Sequence, residues 1–342
     1  MRLRNAPRAA FVRGRRALGA VTREAGTEID RLRYRRHGGA DIALFHEFAP
    51  APTGGGHQFL RALVSELEGR GLSVELNRIS RATPVCMFNS FNFDFRRLRR
   101  FARPGCRMVH RVDGPIGVYR GFDDGTDARI AEVNAELADA TVVQSRFSLD
   151  AHRRLGLELR GPVVVHNTVD PAIFHPPLRH EPLAGRKVRL IATSWSDNPN
   201  KGGEVFAWLD RNLDWNRFEL TLLGRYPGSF ERARVLGPTA SEAVADELRR
   251  HDVYIAASRN DPCSNALLEA LACGLPAAYL ASGGHPELVA EAGVPFVTPE
   301  ELPEVLERLT GELDARRAAI RVTPLSHVAD RYLEVLAIPG SA

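Results

Sequence analysis

From residue 41 onward the chain alternates short apolar runs with longer amphipathic, helix-like stretches, and it runs through that alternation twice. In the first pass the strand candidates are residues 42–48, 73–79, 85–88, 107–112, 141–144 and 163–166, each brief and rich in Val, Ile or Phe. In the second they are 188–193, 219–223, 253–256, 277–280 and 295–297, with helices expected near 203–209, 241–250 and 265–273. Strands spaced by helical patterns predict an α/β fold.

Between the passes, residues 167–186 carry Pro171, Pro176, Pro177 and Pro182 and keep no period, as an interdomain connection does. A chain of 342 residues is also too long for one ordinary core. The expected organisation is a basic extension at 1–38, a first Rossmann-like domain at 39–170 and a linker at 171–186. A second such domain follows at 187–325, then a C-terminal helix or tail at 326–342. Two α/β halves imply a cleft, and in open parallel sheets ligands collect outside the carboxyl ends of the strands.

With 44% hydrophobic and 26% charged residues, the chain has the balance of a globular protein and not of a disordered one. No apolar run approaches the roughly 18 residues of a membrane span, and the N-terminus lacks a secretory apolar core. Cys86, Cys106, Cys263 and Cys273 have neither metal-ligand nor redox spacing and are expected as reduced core thiols. A cytoplasmic location follows as the expectation. Residues 1–36 hold eleven arginines against three acids, so the net charge of +4 is concentrated there. Such a leader is either a solvated tail or a peripheral contact with the anionic inner face of a membrane, and no specific nucleic-acid partner is expected from it.

Three loops carry chemistry. In SRNDPCSNALLEALACGLP, residues 258–276, a helix opens after an apolar strand, and its unpaired N–H groups near Ser264 and Asn265 suit a phosphate. Glu269 lies four residues after Asn265, on the same face, where a carboxylate can accept two bonds from a ribose diol. In TSWSDNPNKG, residues 193–202, Lys201 is one of only two lysines among 46 basic residues; it is either a surface cation or a point charge for a pyrophosphate. In PTGGGHQFL, residues 52–60, Gly55 and Gly56 allow a backbone to approach a ligand closely, as glycines in an ordinary tight turn also do. At the end of RMVHRVDGP, His110, Arg111 and Asp113 reach the edge where a cleft would lie; a lone histidine there is either a packing residue with its polar atoms satisfied or a ligand contact, and Asp113 is a candidate to orient an acceptor hydroxyl.

The spacing of Asp261 and Glu269, followed by A-x-A-C-G-x-P, resembles the donor-site signature of glycosyltransferase family 4 and its retaining GT-B relatives. VVQSRFS (142–148), HNTVDPAIFHP (166–176) and SGGHPELV (282–289) extend the likeness, which spans residues 54–289. The resemblance implies a GT-B fold, two Rossmann-like domains facing each other across a cleft. It also implies transfer of a sugar, with retention and without a metal ion, from a nucleotide-diphosphate donor to a carbohydrate, lipid-linked or small-molecule acceptor. No cofactor is expected beyond that donor. In these terms Asp261 faces the donor sugar, Glu269 grips the ribose, Lys201 meets the phosphates and His110 touches the transferred sugar.

The family's usual first acid is Glu where Asp261 stands, and its usual arginine is Ser196 here. Arg259, or else Arg225, is expected to supply that charge. A nucleotide-sugar epimerase on the same fold and an inactive sugar-nucleotide-binding protein are the alternative readings.

Overall fold

In the computed structural model, residues 38–49, 55–196, 198–226 and 228–338 are described. The basic leader with its expected membrane contact, the opening of the glycine turn at 50–54 and the last four residues lie outside them. Among the described residues no helix is long and apolar enough to cross a membrane.

The first half runs β1 (Ile42–Phe45), α1 (Gly55–Gly69), β2 (Val74–Leu76), β3 (Val85–Asn89), α2 (Phe95–Phe101), β4 (Arg107–Val112), α3 (Ile116–Arg120), α4 (Thr126–Leu137), β5 (Ala140–Val143), α5 (Arg146–Arg154) and β6 (Pro162–Val164). The second runs β7 (Val188–Ser194), α6 (Gly203–Asn212), β8 (Phe218–Gly224), β9 (Arg234–Leu236), α7 (Ser241–Arg249), β10 (Val253–Ala256), α8 (Asn265–Ala272), β11 (Ala277–Leu280), α9 (His285–Val289) and β12 (Gly293–Phe296), closed by α10 (Leu302–Gly311), α11 (Leu313–Ala318) and α12 (Leu325–Leu336).

Each half holds one six-stranded sheet, and every pairing is parallel. Helices cover both faces, so β1, β3, β10 and β11 are buried at every residue, which is why they read as unbroken apolar runs. The first sheet has the order β2-β1-β3-β4-β5-β6, and the second β9-β8-β7-β10-β11-β12. Both orders reverse direction once, between β1 and β3 and between β7 and β10. At such a switch point adjacent crossovers leave on opposite faces and open a crevice at the strand ends.

The expected strands at 42–48 and 73–79 are shorter in the structure, because the chain turns aside at His46 and at Asn77, a left-handed residue with φ 54°. Strand β9 has no counterpart in the sequence pattern; its residues are largely exposed and lack a continuous apolar run. The C-terminal segment is also more than a tail. Helix α12 crosses back and places Val328, Tyr332, Leu333 and Leu336 in the same apolar cluster as Phe59, Leu63, Val85 and Val109 of the first half.

Candidate functional site

The loops leaving β7 and β10 meet across the second sheet's switch point. After β7, Asn198 caps a single 3-10 turn, Pro199–Lys201, by accepting from Asn200 N at 3.0 Å. Gly202 follows with φ 87°, and a Cβ there would stand 2.5 Å from Ala257 Cβ, so only glycine lets this turn lie against the end of β10. The turn delivers Lys201 Nζ to 2.8 Å from Asp261 Oδ2. Asp261 is 5% exposed. Burial opposes its charge, but the Lys201 ammonium beside it outweighs burial and holds the carboxyl below its usual range. Burial likewise opposes the charge on Lys201, and Asp261 keeps its pKa raised. Lys201 is therefore a fixed cation at the switch point.

Helix α8 opens beside this pair. Ser264 is its N-cap and accepts from Leu267 N at 3.4 Å, and Ser264, Asn265 and Ala266 of this opening turn line the cleft. Glu269, one turn on, is 5% exposed, and burial pushes its carboxyl up to about 8. It lines both the main cleft, about 350 Å³, and a smaller cavity of about 240 Å³ beyond it, where Thr168 and Asp170, with Phe174 of the linker, form part of the wall.

The opposite wall comes from the first sheet's switch point. Gly55 and Gly56, the first residues of α1, line the cleft, and a Cβ on Gly55 would stand 2.3 Å from Asn265 Cβ. The opening turns of α1 and α8 thus face one another in close contact. Asn265 Oδ1 accepts from Asn167 Nδ2 at 3.0 Å. Helix α3 lies over the Lys201 turn: the Tyr119 carbonyl accepts from Asn198 and Asn200 at 3.1 and 2.8 Å, and the Tyr119 ring centroid is 5.1 Å from Lys201 Nζ. The two halves are also tied by Glu287, whose carboxylate accepts from Arg146 N and Phe147 N, each at 2.8 Å, at the start of α5.

Gly55, Gly56, Asp113, Lys201, Asp261, Ser264, Asn265 and Glu269 are brought together on this one cleft. Two expectations fail. His110 is fully buried beneath the sheet, stacked on Phe88 at 4.2 Å with its Nδ1 3.1 Å from Asn134 Nδ2, so it cannot touch a sugar in the cleft. Side chains alternate along a strand, and the residue of β4 that faces the cleft is its neighbour Arg111. Arg259 is exposed and lies outside the cleft lining, as does Arg225; the arginines that do line it are Arg111 and Arg120.

Sequence reasoning passed over His46, His57, Tyr119 and Arg120, all in the wall. A signal existed for His57, which directly follows the glycine run. None existed for Tyr119, whose place depends on how α3 docks. Among the described residues no group of three or more His, Cys, Asp and Glu could hold a metal ion.

Two parallel Rossmann-like sheets facing across a shared cleft define the GT-B fold. Residues 211–312 match the model of the family described as glycosyl transferases group 1. The structure is similar to sucrose-phosphate synthase from Thermosynechococcus elongatus, with 16% identity over 87% of this chain and 94% of that one and a TM-score of 0.65. It is similar to the catalytic domain of starch synthase IV from Arabidopsis thaliana bound to ADP and acarbose, with 11% identity over 88% and 99% and a TM-score of 0.66. It also resembles HepE of Anabaena in complex with UDP and glucose, at 15% identity over 87% and 99%, with a TM-score of 0.64. No curated protein sequence matches the chain. The likeness to glycosyl transferases group 1 thus covers residues 211–312, and the likeness to the solved structures shows the GT-B fold.

Proposed function

We propose that the chain transfers a sugar from a nucleotide-diphosphate donor to an acceptor hydroxyl, with retention of configuration, without a metal ion and without a cofactor. The observation that carries this reading is the fixed Lys201 cation beside the Ser264-capped start of α8, one helical turn from the buried Glu269. A diphosphate beside Lys201 meets a cation and N–H dipoles that need no reorganisation as charge develops on the leaving group. Glu269 then stands where the adjoining ribose offers its diol. HepE in complex with UDP and glucose, and starch synthase IV with ADP and acarbose, have the same fold and are consistent with such a pairing of nucleotide and sugar.

In this reading the bond from the anomeric carbon to the β-phosphate oxygen breaks, its electron pair staying on that oxygen. The acceptor oxygen bonds to the same face of the carbon, and its proton passes to the departing phosphate. Asp261, held ionised by Lys201, and Asp113, 27% exposed on the opposite wall, are in this reading the groups that orient sugar and acceptor hydroxyls; both line the cleft. The acceptor is a carbohydrate, a lipid-linked glycan or a small alcohol. Tyr119 and Arg120 of α3 line the same cleft, the Tyr119 ring centroid 5.1 Å from Lys201 Nζ.

The test is transfer itself. Nucleotide sugars bearing UDP, GDP or ADP are incubated with an acceptor mixture in the presence of a metal chelator. The expected result is a glycoside with the donor's anomeric configuration, undiminished by the chelator. An inverted product, a trapped glycosyl–enzyme adduct or absolute dependence on a divalent ion overturns the corresponding part of the reading. Isomerised donor formed without any acceptor would mark an epimerase.

A further inference from the structure

The two histidines of the cleft wall are linked to a buried arginine by an unbroken line of hydrogen bonds, and chemistry fixes the direction of each. Arg111 Nη1 donates to Asn89 Oδ1 at 2.6 Å. A guanidinium has no acceptor, so the Asn89 amide must turn its oxygen to Arg111 and its nitrogen the other way. That nitrogen lies 3.3 Å from His46 Nδ1, and an amide nitrogen only donates, so His46 Nδ1 accepts. His46, 1% exposed, is kept neutral by burial and by His57, Arg111 and Arg61 around it, its pKa pushed down to about 3. The one proton of a neutral imidazole then sits on Nε2, which is 2.9 Å from His57 Nδ1. His57 therefore accepts at Nδ1 and carries its own proton on Nε2.

We infer that the Arg111–Asn89–His46 chain orients His57 so that its Nε2–H is a fixed, uncharged hydrogen-bond donor to a β-phosphate oxygen of the nucleotide diphosphate. This rests on the function proposed above and adds to it a phosphate contact from the first domain. The orientation of the ring is constrained from two sides. Phe48 packs 4.7 Å edge-on against His46 and 6.4 Å from His57, and Nδ1 is taken by His46. His57 lines the cleft, two residues into α1, whose opening turn touches that of α8 at Asn265. The opening turns of two helices and the Lys201 side chain thus line the same cleft, a setting that favours an anionic oxygen over a hydroxyl. Phosphate oxygens only accept, so the direction of the chain decides whether His57 can serve. His57 is the substrate-contacting member, and Asn89 and His46 are positioning residues.

The test uses the full chain and four proteins: the wild type, His57→Ala, His57→Gln and His46→Phe. Calorimetric Kd values are measured for UDP, GDP and ADP and for the matching monophosphates, and nitrogen-15 spectra report the tautomer of each histidine. The wild type is expected to show His57 protonated on Nε2. His57→Ala should lose about tenfold in affinity for the diphosphate, the size of one charge-assisted hydrogen bond, with the monophosphate unchanged. His57→Gln, whose amide still donates, should stay within about threefold of the wild type. His46→Phe should move the His57 signals towards a mixture of tautomers and lose less than His57→Ala. Losses are compared only among variants whose thermal unfolding midpoint without nucleotide matches the wild type's, and His57→Gln supplies the comparison if His57→Ala does not fold. A His57 protonated on Nδ1, a His57→Ala protein that binds the diphosphate as the wild type does, or equal losses for mono- and diphosphate overturn the inference while leaving the proposed function in place. A wild type that binds none of the nucleotides overturns both.

Discussion

Burial pushes the Glu269 carboxyl up to about 8 from an unfolded value near 4.5, because the surrounding protein denies its charge solvation by water. The native state then holds this proton more tightly than the unfolded chain does, so Glu269 subtracts from stability as pH rises between about 4.5 and about 8. Glu269→Gln removes that titration without changing shape. Its melting temperature is expected to exceed the wild type's most clearly at pH 8.5, and the gain to shrink towards pH 5. A gain that is constant across the range would mean that the carboxyl does not titrate there. Glu269 itself was legible in the sequence, since a helix period of four placed it with Asn265. His110 was not placed correctly, because a strand's two faces look alike when both are buried; only the structure shows that Arg111, one residue on, has the cleft side.

At the scale of elements, the site depends on two loops that the sequence marked by position and one helix, α3, that it did not. The loops after β7 and β10 were recognisable as strand-to-helix turns, and the strand order explains why they meet: β7 and β10 are neighbours in the sheet, although β8 and β9 lie between them in the chain. That adjacency depends on long-range pairing that local pattern does not encode. Gly202→Ala tests the first loop. With φ 87° and Ala257 Cβ 2.5 Å from the added methyl, the turn must shift and carry Lys201 away from Asp261. The expected cost is more than about 1 kcal/mol by denaturant unfolding, together with weakened nucleotide binding. A variant as stable and as competent as the wild type would contradict the packing described for this turn.

Helix α12 was foreseen only as a C-terminal helix or tail, because its apolar face says that it is buried and not against what. It packs on the first sheet, and Tyr332, fully buried, accepts a hydrogen bond from Arg111 Nε at 3.1 Å. Tyr332→Phe leaves that donor unpaired in the core and should cost about 1–3 kcal/mol. Tyr332→Ala adds a cavity and should cost about 3–5 kcal/mol, both measured by denaturant unfolding. If Tyr332→Phe proved neutral, the helix would contribute packing alone.

Across the whole molecule, the cleft exists because two sheets with different strand orders present their carboxyl ends to one another. Contacts at Gly55 with Asn265, Tyr119 with the Lys201 turn and Glu287 with the start of α5 hold the halves against each other. The α/β repetition and the proline-rich break made two facing domains legible, whereas the contacts that set their distance come from single residues without a pattern. The central claim is that the junction of β7, β10 and α8 holds a nucleoside diphosphate, and thermal melting with UDP, GDP, ADP and their sugars tests it most directly, since a ligand of the native state raises the midpoint by mass action. At least one diphosphate is expected to raise the wild-type midpoint in a concentration-dependent way, and Lys201→Ala to abolish that response. A wild-type midpoint unmoved by every nucleotide, or a shift that survives intact in Lys201→Ala, would contradict the account.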